Sequence, residues 1–65
     1  MNRIRELRQS KGLSQHVLAL ACGVTENTVG RWERGTMLIR KRHQKVLART
    51  LGVTVNDLQL ENPVH

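Results

Sequence analysis

Three short steps in this chain share one chemistry: Gly12-Leu13-Ser14, Gly23-Val24-Thr25 and Gly52-Val53-Thr54. Glycine is favoured just past a helix end, where the chain turns through the left-handed region. Ser and Thr are favoured at the N-cap of the next helix, where the side-chain oxygen accepts a free backbone N–H. The apolar residue between them is a corner that can be pinned to a core. Each step therefore reads as a helix ending, a tight corner and a helix starting. A chain cut this way can form short helices and little else.

The pieces between the corners carry helical periodicity. The first runs from Asn2 to Lys11, with Ile4, Leu7 and Lys11 on one face. The second runs from a Ser14 cap to Cys22, with Val17, Leu18, Ala21 and Cys22 expected inward. The third starts at a Thr25 cap and ends before Gly35, with Val29 and Trp32 one turn apart. The fourth covers about Arg40 to Leu51, with Val46, Leu47, Thr50 and Leu51 on one side. A fifth, a short turn after Thr54, is packed down by Val55 and Leu58, and Asp57 completes a variant of the capping box. The β-like patch Thr36-Met37-Leu38-Ile39 is too short for a strand. The expected fold is all-α with five helices, a domain over 1–60 and a tail over 61–65.

Size and charge narrow the function. A 65-residue chain makes one small domain, which buries only about 60% of its unfolded surface. One cysteine excludes an internal disulfide, and Cys22 with His16, His43 and His65 shows no zinc-ligand spacing. Cys22 reads as a small core residue and His43 as a packed one. No metal and no cofactor is expected. Eleven Lys and Arg against five Asp and Glu leave a net charge of +6 and a pI near 11.2. That balance suits nucleic acid or an anionic surface. No apolar run approaches the roughly 20 residues of a membrane span, and MNRIRELRQSKG lacks the apolar segment of a signal peptide. The expected location is cytoplasmic.

Pieces two and three are joined by Gly23-Val24-Thr25 alone, the spacing of a helix-turn-helix. Gly23 permits the sharp turn, Val24 plugs the angle, and the small Ala19 lets the third helix cross close to the second. The run IRELRQSKGLSQHVLALACGVTENTVGRWERG resembles the lambda-repressor-like, Cro-type (XRE) helix-turn-helix family. Its marks are Leu13-Ser14-Gln15, Ala19, Gly23-Val24-Thr25, Val29 and Trp32-Glu33-Arg34-Gly35. The likeness continues more weakly through VLARTLGVTVNDL. Ile39 and Gln44 stand where the family often has Pro and Leu, and Cys22 replaces its usual Leu. The resemblance implies a compact five-helix DNA-binding domain whose third helix reads sequence, used by regulators that are usually dimeric on near-palindromic sites.

On that helix, Val29 and Trp32 define the core side, and Asn27, Arg31 and Arg34 lie opposite with Gly30 beside them. Glu26 belongs to the first turn, which points into the major groove in such complexes. Arg31 suits guanine O6 and N7, Asn27 suits adenine N6 and N7, and Glu26 suits a cytosine amino group. Thr28 lies nearer Trp32 and completes the candidate base-reading set. The plainer alternatives are a dipole partner for Glu26, solvated surface residues for Asn27 and Arg31, and a tolerated defect for Gly30. Gln15, Thr25, Arg34, Thr36, Arg40 and Lys41 are the candidate phosphate contacts. Gln15 and Thr25 also have structural uses, as helix start and cap. Lys45 and Arg49 read as a solvated face. Glu33 flanks the core side of the third helix and Arg8 that of the first. The matching family positions form an ion pair, so the resemblance implies Arg8–Glu33.

The leading expectation is a transcriptional regulator of Cro or repressor type that binds double-stranded DNA as a homodimer, without cofactor or catalysis. A dimer would use the fourth and fifth helices, the Leu58–His65 tail with Leu60 and Val64, or DNA itself. Two alternatives keep the same DNA chemistry: an antitoxin whose protein partner is a toxin, and a restriction–modification controller. A module that binds only proteins leaves Asn27, Arg31 and the basic stretch after Gly35 unexplained. No nucleophile–base pair, metal set or phosphate loop supports an enzyme.

Overall fold

A computed structural model describes residues 2–60. The expected tail at 61–65, including Val64, lies outside them. Four α-helices follow one another: α1 over Ile4–Ser10, α2 over Gln15–Cys22, α3 over Glu26–Arg34 and α4 over Lys41–Leu51. No strand occurs among the described residues. The fifth element is a single 3-10 turn, Asn56–Leu58, and not a fifth α-helix. Gln59 stops it in the left-handed conformation at φ 52°. Asp57 Oδ2 accepts from the Thr54 amide at 3.1 Å and the Asp57 amide donates to Thr54 Oγ1 at 3.2 Å, closing the reciprocal box. Those bonds, the backbone one first, hold the Asp57 carboxyl below its usual pKa.

The corners are built alike. Ser14 and Thr25 accept from the amides of Val17 and Thr28, capping α2 and α3. At the far end of α2, Gly23 turns the chain at φ 69°. Its amide donates to Leu20 O, and the Val24 amide reaches back to Ala19 O at 3.0 Å. The same pair of reversed bonds closes α1, α3 and α4, through Gly12-Leu13, Gly35-Thr36 and Gly52-Val53. These bonds satisfy helix-end carbonyls and set the direction of each following helix.

Ile4, Leu18, Val29, Trp32, Leu47, Leu51 and Leu58 are fully buried, with Ala19, Ile39 and Ala48 beside them. Each large one contributes about 1.5–3 kcal/mol relative to exposure. α2 corrects its expected face. Val17 is 41% exposed and Ala21 is exposed, while the buried pair is Leu18 and Ala19. α2 packs on both α3 and α4, and that double contact rotates its inner stripe by about one residue. Leu58 is wholly buried and Leu60 packs partly on the core, so Leu58 has no free surface to give a dimer. The departures at Ile39 and Gln44 work together. Ile39 enters the core, and Gln44 Nε2 donates to its carbonyl at 2.8 Å, tying the loop to α4.

Gly23 has open space around it, with no atom within 4 Å of an added Cβ. The cost of Gly23→Ala is therefore a backbone cost, expected at about 1–2 kcal/mol. Urea unfolding should show that loss, and Gly23→Asn should lose less, because Asn tolerates the left-handed region.

Candidate nucleic-acid interface

The two sides of α3 differ in chemistry. Val29, Gly30, Trp32 and Glu33 are buried, while Glu26, Asn27, Arg31 and Arg34 are exposed and Thr28 is half-buried. The apolar side is locked in place from three directions. Trp32 lies in the core, its ring 5.1 Å from the His43 ring of α4. Its carbonyl accepts from Asn2 Nδ2 at 2.7 Å, while Asn2 Oδ1 accepts from the Ile4 amide at 3.0 Å. Partial burial lowers the His43 pKa, aided by the cations of Arg42 and Arg40.

Glu33 is the charged residue drawn into this core side, with its side chain 5% exposed. Arg8 Nε of α1 donates to Glu33 Oε2 at 2.6 Å. Gln15 Nε2 at the start of α2 donates to Glu33 Oε1 at 3.0 Å. Arg8 Nη1 donates to the Leu13 carbonyl in the α1–α2 corner at 2.9 Å. One carboxylate thus joins α1, the first corner, α2 and α3. Gln15, a candidate phosphate contact, has one amide N–H committed to this network.

Beside the network a cleft of about 560 Å³ opens between α1 and the helix pair, lined by Asn2, Arg5, Glu6, Arg8, Gln9, Gln15, Gly30, Glu33 and Arg34. Gly30 forms part of its wall and is not open surface beside Arg31. Arg34 folds back over it, so that a Cβ there would lie 3.3 Å from Arg34 Nη1 and 3.8 Å from Gln15 Nε2.

The other candidates are placed as follows. Thr25 Oγ1 caps α3 and lies 3.0 Å from the Thr28 hydroxyl. Thr36 is exposed, but its hydroxyl and amide both donate to the Arg31 carbonyl, at 3.2 and 3.0 Å. Arg40 and Lys41 stand exposed at the start of α4, with Arg42 next to them. Arg40 makes no side-chain cap there. Three cations at a helix N-terminus oppose the helix dipole, an arrangement that an anion would relieve. Sequence reasoning missed Asn2, Arg5 and Gln9. For Asn2 the signal was present, since Asn readily accepts from the amide two residues on. It also missed His16, whose Nδ1 lies 3.2 Å from Glu26 Oε1.

A family model described as helix-turn-helix matches residues 4–58. The chain belongs to that family, of the lambda-repressor-like, Cro-type (XRE) kind. The crystal structure of the restriction-modification controller protein C.AhdI from Aeromonas hydrophila is similar, with a TM-score of 0.78 and 39% identity over 86% of this chain and 85% of that one. No curated protein sequence matches the chain significantly. Membership makes the chain a helix-turn-helix protein of the DNA-binding regulator type, with α2 and α3 as its helix pair. Among the described residues no helix is long and apolar enough to cross a membrane.

Arg8→Ala would leave the Glu33 carboxylate buried without its cation. The expected loss is about 3 kcal/mol or more, a large share of the stability of a domain this small. Replacing Arg8 and Glu33 together with Leu should cost much less. Equilibrium denaturation followed by circular dichroism distinguishes the two.

Proposed function

We propose that this helix-turn-helix protein is a sequence-specific transcriptional regulator that reads operator DNA in the major groove with α3. The observation that carries the reading is the exposed row Glu26, Asn27, Arg31 and Arg34 on a short helix anchored by Val29 and Trp32. In this reading Arg31 forks onto guanine, Asn27 onto adenine, and Glu26 accepts from cytosine. Thr28 adds a hydroxyl at the edge of that row. Gln15, Thr25, Arg34, Arg40 and Lys41 meet phosphates. Thr36 does so only after turning its hydroxyl from the Arg31 carbonyl.

Two copies bind as a homodimer, on half-sites about one helical turn apart. The reading needs no cofactor and no catalytic step. Control of a restriction–modification system is favoured over plain Cro-type repression and over the antitoxin role, on the strength of the likeness to C.AhdI. The net charge of +6 supplies the long-range attraction.

Binding selection from random DNA should recover a near-palindromic site. Arg31→Ala should lose about 1–3 kcal/mol of discrimination at one base pair in each half-site. Equal weakening on every sequence would instead make Arg31 a phosphate contact. If about five phosphates are met per subunit, log K should fall with log salt at a slope near −4 to −5 per subunit. Affinity independent of salt, or no DNA binding at all, would overturn the proposal.

A further inference from the structure

Glu26 does not act alone at the start of α3. His16, the second residue of α2, holds its Nδ1 3.2 Å from Glu26 Oε1, with the two side chains 64% and 57% exposed. Their backbones are fixed relative to one another by the Gly23 corner, the Val24–Ala19 bond and the Thr25 cap. The separation of the pair is then set by side-chain rotation alone. A carboxylate in the first turn of α3 suits the helix dipole, whereas a basic side chain in the first turn of α2 does not. α2 carries no acid in that turn, so the partner of His16 comes from the neighbouring helix.

We infer that His16 is a positioning residue for base readout, tethering the Glu26 carboxylate to α2 and so setting which base edge it addresses. The inference rests on α3 being the DNA-facing helix. An imidazole nitrogen 3.2 Å from the carboxylate limits the rotamers open to Glu26, and with them the direction from which its oxygens can accept from a cytosine amino group. Among the described residues, the acid that meets His16 is Glu26 of α3. The other helix packed on α2, α4, turns Leu47, Ala48 and Leu51 inward and exposes its cations Lys41, Arg42, Lys45 and Arg49.

The test is selection from randomised half-sites with the wild type, His16→Ala, His16→Gln and Glu26→Gln. His16→Ala should weaken the wild-type discrimination at one base pair by about two- to fivefold, the range of an exposed pair. His16→Gln, which keeps a polar side chain at that position, should restore the preference. Glu26→Gln should lose the preference at that same base pair. Specific binding left unchanged at every position by His16→Ala or by Glu26→Gln would overturn this inference while leaving α3 as the reading helix. Failure of the folded wild type to select any sequence would overturn both.

Discussion

The Arg8–Glu33 pair is the contact on which the geometry of this domain depends. Glu33 lies on the inward side of α3, where an unneutralised carboxylate costs several kcal/mol. Arg8 supplies the counter-charge at 2.6 Å, and Gln15 fills the second oxygen at 3.0 Å. Because the guanidinium also holds the Leu13 carbonyl, the position of α3 is referred to α1 and to the corner before α2. Apolar packing is non-directional and tolerates sliding of one helix on another. A charged pair with defined donors and acceptors tolerates far less, so it sets register where the core supplies adhesion.

The core is small and its economy shows in the side chains that serve two ends. Trp32 fills the centre with its ring, while its carbonyl is held by Asn2 and its ring lies tilted against that of His43. Ile39 leaves an irregular loop to enter the core, and Gln44 holds the carbonyl of that same residue. The helices are too short to be stable in isolation. Their caps and reversed C-terminal bonds satisfy end groups locally, and packing does the rest.

Holding α3 from behind frees its outer residues from structural duty. Arg31 and Asn27 are exposed on a helix whose buried side is fully engaged. Gly30 shows the other use of the helix: its missing side chain leaves room for Arg34 to fold across toward Gln15. The polar surface thus includes side chains arranged by one another, with Glu26 near His16 and Thr28 near Thr25.

Chain order and local chemistry decided the elements. Gly23-Val24-Thr25 and its two sister steps mark the corners because glycine geometry and side-chain capping act within five residues, which a linear sequence displays. The Thr54–Asp57 box was legible for the same reason, although the segment it opens is one 3-10 turn and not a fifth helix. The polar row on α3 followed from a single helical period around Val29 and Trp32. Tertiary structure alone decided the rest. α2 buries Leu18 and Ala19 and exposes Val17 and Ala21 because it touches two helices at once, and one helix's periodicity does not reveal the angle between its neighbours. Ile39 is core because Gln44 and the α4 start curl its loop inward. Gly30 is covered, and His16 reaches Glu26, because residues on different helices meet only once the corner angle exists. Sequence by itself determined where helices begin, end and turn their polar faces, since those effects are local. Packing decided which polar groups pair across helices, since that depends on distances no single helix contains.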